Sequence, residues 1–368
     1  MGNVKVVVDQ YDRVSELKAF DQTKTGVKGL VDAGVTKVPR IFINENDKPT
    51  ISKSDENEIS LIPTIDLKGI NDDSATRAQI VKKVKEASER SGIFQIINHE
   101  LPLSIMDEMI EGVRRFNEQD AEVKKKYYTR DRTKRFQYNS NMDIYTEPTA
   151  SWKDNLLGRM VPNPPHSHEL PDVCRDIMFE YTEYVTKVGN TVYELLSEAL
   201  GLEPSHLKEI GCVDSVNIVG NYYPACPEPE LTFGITSHVD YGLLAILLQD
   251  KVGGLQFLYQ HQWIDVPVVS GGLIINVGDF IQLITNDKFK SVRHRALANK
   301  ERARISVATF MTPIPSPSDN MRLYGPIKEL VTEDEPAIYK DTTFHDFLTS
   351  YYTPNVDGTT AHLKDFKL

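Results

Sequence analysis

The chain has 368 residues, with 42 Lys+Arg against 53 Asp+Glu, and a formal charge of −11. At 40 % hydrophobic and 26 % charged residues it has the composition of a folded globular protein, which excludes wholesale disorder. The acidic balance excludes a broad face for nucleic acid or anionic lipid, though not a small local cluster of positive charge. In chain order, Val14 to Phe20 is a short amphipathic helix candidate and Gly26 to Gly34 a second, broken by glycines. The polar run from Asn44 to Glu58 reads as a loop, and Ile62 to Leu67 has a short strand pattern. Asp73 or Ser74 can cap a helix reaching Arg90, with Ile80, Val84 and Ala87 on one stripe. Gly92 stops it, and Ile93 to Ile97 reads as a buried strand. One helix is expected from Ser104 to Lys126, then a basic, aromatic loop from Arg130 to Tyr145. A proline-rich turn from Val161 to Pro171 leads into a long helix from Val173 to Leu200.

From Ser215 the texture changes to short apolar runs separated by Gly, Pro and Asn: 216–223, 243–249, 255–259, 263–268, 273–277, 292–297 and 305–311. Short strands at this near-regular spacing predict a β barrel or double-sheet sandwich. A last helix is expected near Phe344 to Tyr352. The fold class is therefore α+β with a mainly β core, wrapped by N-terminal helices and a C-terminal helix. Length alone allows two or three domains. The pattern reads instead as one catalytic unit: an N-terminal extension over 1–60, a helical region over 61–210, the β core over 211–315, and a C-terminal segment over 316–368 that could act as a lid.

Only three cysteines occur, Cys174, Cys212 and Cys226, with no CxxC pair, which fits a reducing compartment and gives no disulfide framework or structural zinc. The apolar run Val6 to Val8 is too short for a signal-peptide core, and no stretch approaches the roughly 20 apolar residues of a membrane span. Met1-Gly2 invites a myristoylation check, but Val6 stands where Ser or Thr is wanted. The expectation is a soluble, cytoplasmic monomer that takes a small-molecule substrate and neither nucleic acid nor membrane.

The chemistry concentrates in His238-Val239-Asp240 and, much later, His294. Residues i and i+2 of a strand face the same side, so His238 and Asp240 can converge, with His294 inward beside Val292 and Ala296. Two imidazoles and one carboxylate on one face of a metal leave the other face open, as in non-haem Fe(II) oxygenases. Zinc can use two His and an acid as well, and HxD tripeptides mostly arise by chance. Arg304-Ile305-Ser306 is a second inward pair, ten residues after His294. An inward arginine is costly unless an anion meets it, and a guanidinium beside a hydroxyl suits a carboxylate. Tyr223 could add a phenol, and the competing reading pairs Arg304 with a protein acid. Together these residues describe a metal chelated by a 2-oxo dicarboxylate whose tail is held by arginine. His166 and His168 lie in a Pro-rich, solvated loop; His99, His206, His261, His345 and His362 have no partner at ligand spacing.

The motifs IPTIDL (62–67), GIFQIINH (92–99), NYYPACPEPELTFGITSHVD (221–240), LIINVGDFIQLITNDKFKSVRHR (273–295) and RIS (304–306) make a specific joint pattern. The chain resembles the plant 2-oxoglutarate- and Fe(II)-dependent dioxygenases through nearly all its length. Its leader over 16–43 is similar to the branch of aminocyclopropane-carboxylate oxidase homologues, which includes hydroxylases of plant specialised metabolites. The resemblance implies a double-stranded β-helix, or jelly roll. It implies His238, Asp240 and His294 as iron ligands, no further catalytic residue, and Arg304, Ser306, Tyr223 and Asn221 as 2-oxoglutarate contacts. The implied cofactors are Fe(II), 2-oxoglutarate and O₂, with ascorbate as reductant. The implied reaction is hydroxylation of an alkaloid, steroid or terpenoid scaffold with release of succinate and CO₂. Desaturation, demethylation, ring closure, an ascorbate-dependent oxidase and a non-catalytic binder are the alternatives. Candidate substrate-wall residues are Phe136, Tyr138, Met142, Trp152, Phe310 and Met311, each of which ordinary core packing would also explain. One departure is Glu100, where the family usually carries glycine; it lies away from the motif residues.

Overall fold

The computed structural model describes residues 11–45, 47–49, 62–314, 322–352 and 363–368. The readings of Met1-Gly2, of Val6 to Val8, of most of the 44–58 loop and of His362 lie outside these residues. Helix α1 (Arg13–Thr23) is capped by Asp12, whose carboxylate accepts from Val14 and Ser15, and α2 (Gly26–Asp32) follows. Helix α3 (Ser74–Arg90) starts on Asp73, which accepts from the Thr76 amide at 2.8 Å, and buries Ile80, Val84 and Ala87. The helix expected over 104–126 is two: α4 (Leu103–Asn117) and α5 (Ala121–Lys125). Asp120 is extended (φ −50°, ψ 142°) and its carboxylate accepts from the Glu122 amide, so it caps a new helix and breaks the old one. Helix α6 (Asp172–Ala199) carries a continuous apolar stripe, Ile177, Tyr181, Val185, Val188, Val192 and Leu195, all buried, and the short α7 (His206–Glu209) follows it.

The strands are β1 (Thr64–Asp66), β2 (Ile93–Ile97), β3 (Phe136–Asn139), β4 (Asp154–Val161), β5 (Ser215–Tyr223), β6 (Phe233–His238), β7 (Leu244–Gln249), β8 (Leu255–Tyr259), β9 (Gln262–Asp265), β10 (Leu273–Val277), β11 (His294–Leu297) and β12 (Arg304–Thr312), with a short β13–β14 pair (Leu323–Tyr324, Thr342–Thr343). The large sheet has the order β1-β2-β10-β7-β12-β5-β4-β3, and the small one β6-β11-β8-β9. Ile93 and Ile274 of the large sheet pack with Leu255, Phe257 and Ile264 of the small one, so the two sheets meet face to face as in a jelly roll. The other face of the large sheet buries Phe94, Ile218, Ile246, Ile275, Val307 and Met311 against the helices. Four strands of the large sheet, β1 to β4, come from the region expected to be mainly helical. Strand β3 falls inside the expected 130–145 loop, and β4 and β6 carry too few consecutive apolar residues to announce themselves. A short helix α8 (Asp279–Ile284) was not expected either: nearly every residue in it is buried, so it shows no helical period. The closing helix α9 (Phe344–Tyr352) falls where predicted.

The leader braces the loop that follows β3. Asp21 of α1 accepts from Arg130, Tyr128 and Tyr145, and Arg13 donates to the Glu147 carbonyl at 2.6 Å. Glu100, just past β2, has φ +65°, in the left-handed region that glycine occupies without cost. Replacing Glu100 with glycine is expected to stabilise the fold by about 0.5–1 kcal/mol, read from urea midpoints, with turnover unchanged. A loss of stability would mean that the glutamate side chain contributes more than its backbone costs.

Candidate active site

The residues expected to meet do so, but by a different route. His238 ends β6, and Asp240 lies in the loop beyond it, so the two are not on one strand face. His294 opens β11 and pairs directly across from His238, which puts the ring centroids 4.2 Å apart. Nδ1 of His238 lies 2.8 Å from the Thr236 carbonyl, and Nδ1 of His294 lies 3.2 Å from that of Val292. Donation from Nδ1 fixes the tautomer and leaves each Nε2 lone pair free. These two Nε2 atoms stand 3.9 and 3.8 Å from Asp240 Oδ1. Two ligands on one ion at about 2.1 Å can be up to about 4.2 Å apart, so this spacing fits a shared ion. The donor set of two neutral imidazoles and a carboxylate suits Fe(II). Removal from water and the neighbouring His294 push the pKa of His238 well down, and Asp240 only partly offsets this. Both effects favour the neutral ring, the form that ligates a metal.

The Asp240 loop is anchored from the segment after β10. Backbone amides of Gly278, Asp279 and Phe280 donate to the carbonyls of Leu243, Asp240 and Gly242 at 2.9, 2.8 and 3.1 Å. A Cβ on Gly278 would stand 2.3 Å from the Gly242 carbonyl oxygen, so only glycine permits this approach. Asn276 Nδ2 donates to Asp240 Oδ2 at 2.5 Å, leaving Oδ1 toward the histidines. Replacing Asn276 with alanine is expected to weaken Fe(II) binding about 10–100-fold by calorimetry while α-helical content stays unchanged. Unaltered Fe(II) affinity would show that the aspartate holds its orientation without the amide.

Register assembles a second pocket on the interior face. Strands β12 and β5 pair Arg304 with Tyr223 and Ser306 with Asn221, which puts all four on one side. Arg304 is 1 % exposed. It donates from Nε to Gly253 O at 2.6 Å, from one terminal nitrogen to Ser306 Oγ at 3.1 Å and from the other to Gln249 Oε1 at 3.2 Å. Its guanidinium carbon sits 4.9 Å from the Tyr223 ring centre, and the Tyr223 hydroxyl is 3.5 Å from Ser306 Oγ. Among the described residues no carboxylate forms an ion pair with Arg304, so the protein-acid reading does not hold there. A buried guanidinium without a counter-anion is costly, and two of its N–H bonds are still available. The pocket therefore fits a carboxylate.

The alternation of β12 sorts the substrate-wall candidates. Arg304, Ser306 and Phe310 share the interior face, with Phe310 half-buried. Met311 points the other way, into the helical core, where a Cβ on Gly189 would overlap its sulfur. Phe136 and Tyr138 also belong to that core, edge-on to Tyr127 and Phe116. Trp152, fully buried, packs on Phe42 of the leader and donates to Pro224 O at 3.1 Å. These four therefore do not line a substrate pocket, because the helix-facing side of the sheet and the leader core enclose them; Met142, 36 % exposed on its loop, remains accessible together with Phe310. His166 and His168 stack on one another in an exposed turn, as expected of solvated histidines. Two site residues were not foreseen, Asn276 and Lys153. The only hint of Asn276 was a polar residue inside the apolar 273–277 run. Lys153 lies two residues before Asn155, whose register partner is Asn221.

A model of the 2OG-Fe(II) oxygenase superfamily matches residues 215–313, and one for the non-haem dioxygenase in morphine synthesis N-terminal region matches residues 62–173. The chain is 49 % identical over 367 residues to deacetoxyvindoline 4-hydroxylase of Catharanthus roseus, covering 98 % of this chain and 91 % of that one. It is 49 % identical over 352 residues to 1-aminocyclopropane-1-carboxylate oxidase homolog 1 of Arabidopsis thaliana, covering 96 % of each. Among solved structures, JOX2 in complex with 2OG, Fe and JA superposes with a TM-score of 0.80 at 28 % identity, over 93 % of this chain and 97 % of that one.

Proposed function

This chain belongs to the 2OG-Fe(II) oxygenase superfamily, and from that premise we propose that it hydroxylates a C–H bond of a plant specialised metabolite. It is a 2-oxoglutarate-dependent dioxygenase. When bound, Fe(II) with 2-oxoglutarate and O₂ supplies the oxidising power that breaks the substrate C–H bond, with succinate and CO₂ as co-products. His238, Asp240 and His294 hold the ion from one side, and Asn276 keeps the aspartate turned toward it. Arg304 and Ser306 take the far carboxylate of 2-oxoglutarate, with Tyr223 and Asn221 beside them. The observation that carries this assignment is the buried Arg304 with no acidic partner among the described residues, on the face it shares with Ser306. Of the candidate wall residues, Phe310 and Met142 are the ones accessible to a substrate. The protein's own contribution is to fix which C–H bond faces the metal.

Hydroxylation is supported by the 49 % identity to an enzyme named as a 4-hydroxylase. The test is reconstitution with Fe(II) and 2-oxoglutarate, followed by mass spectrometry of a plant metabolite extract. A product heavier by one oxygen atom, with succinate formed mole for mole, is the expected result. Products lighter by two hydrogens or by a methyl group would replace hydroxylation with desaturation or demethylation. Product without succinate would favour an ascorbate-dependent oxidase.

A further inference from the structure

A second cation borders the Arg304 pocket. Lys153 precedes β4 and projects to the interior face with Asn155. Its ammonium makes one long hydrogen bond, to Asn221 Oδ1 at 3.4 Å, and no carboxylate among the described residues ion-pairs with it. Two of its three N–H donors are thus free. Asn155, 1 % exposed, donates to the same Asn221 oxygen at 2.6 Å and leaves its own Oδ1 without a partner, so this polar patch is incomplete as it stands.

Its contact with Asn221 locates the ammonium. Asn221 is the register partner of Ser306, so the ammonium borders the residues around Arg304. The charges of Asp143 and Glu147, in the loop after β3, also act on it. Asp143 is already bound to Arg132 at 2.7 Å. Arg132 stacks 5.0 Å over the Tyr352 ring, and the Tyr352 hydroxyl meets that of Tyr241, the residue after Asp240, at 2.5 Å. Lys153 therefore borders the residues around Arg304, and the loop whose carboxylates act on it is tied through Arg132 to α9. Removal from water pushes its pKa down to about 8, with Asp143 and Glu147 offsetting only part of the effect.

We propose that Lys153 is a specificity-determining residue that binds a carboxylate of the substrate, so that the substrate is an acid-bearing terpenoid or steroid and not a protonated alkaloid amine. This rests on the oxygenase reading of the same site. A half-buried ammonium without an ion-pair partner among the described residues attracts a carboxylate and repels an ammonium, and its free donors match the acceptors of an ionised acid.

The test measures binding under nitrogen to protein loaded with Fe(II) and 2-oxoglutarate. Terpenoid carboxylic acids are compared with their methyl esters and the corresponding amines by calorimetry. Acids are expected to bind at least about tenfold tighter than esters or amines. The preference should vanish in Lys153→Met and return in part in Lys153→Arg. The unfolding midpoint of Lys153→Met should hold or rise, whereas a structural lysine would lower it. Acids binding no better than esters, absence of binding by every member included, overturns the proposal. A tenfold loss of 2-oxoglutarate affinity in Lys153→Met also overturns it, because the ammonium would then serve the cosubstrate. Binding without oxygen does not depend on which bond is later oxidised, so a desaturated or demethylated product would defeat the hydroxylase reading and leave this result intact.

Discussion

Replacing Asp240 with alanine abolishes 2-oxoglutarate-dependent product formation while the protein folds as before. The expected fall in turnover exceeds about a thousandfold, well above the 10–100-fold that loss of a supporting contact costs a metal site. The reason is charge as well as geometry. Asp240 is the one anionic group among the three that converge, and without it two neutral imidazoles are left to hold a dication. The variant also frees Asn276 Nδ2 from its 2.5 Å bond, but no backbone contact of the loop depends on the carboxylate. Circular dichroism and unfolding midpoints should therefore match the parent while bound iron falls sharply. His294→Ala should behave alike, since that ring pairs directly with His238. Product formed in proportion to succinate by either variant would remove these residues from the metal.

Replacing Arg304 with methionine separates cosubstrate binding from folding. The buried guanidinium has hydrogen bonds but no counter-charge, so its removal should leave the unliganded fold as stable as before or more so. The 2-oxoglutarate complex should weaken by about 2–5 kcal/mol, roughly 30- to 5000-fold in affinity, because one carboxylate loses its partner inside the protein. Thermal unfolding with and without 2-oxoglutarate checks this directly: the parent gains stability from the ligand and the variant does not. An equal ligand-induced shift in both proteins would move the carboxylate site elsewhere.

Much of the architecture is written in local signals. Asp73, the stripe Ile80-Val84-Ala87 and Gly92 mark both ends and the buried side of one helix, because caps and period act within a turn or two. The break at Asp120 was legible too, as an aspartate ahead of Ala-Glu, but the apolar period on either side masked it. Strand β6 was not: it lines the site, so polar residues replace the apolar run that betrays a strand. The residue types of the site were legible, whereas the supporting Asn276 and Lys153 acquire meaning only once distant segments are paired. The choice between Phe310 and Met311 turned on strand phase, which neighbouring apolar residues do not reveal.

Strand β12 separates two kinds of evolutionary freedom by the parity of its residue numbers. Odd positions from Ile305 to Met311 face the helical core, and even positions from Arg304 to Phe310 face the interior of the barrel. Substitutions at an even position such as Phe310 can therefore drift toward a new substrate with little effect on folding. A one-residue deletion within β12 would exchange the two sets at once, setting an arginine against the helices. Diversification in such a barrel should run through substitutions on the inner face, with length changes confined to the loops at its rim.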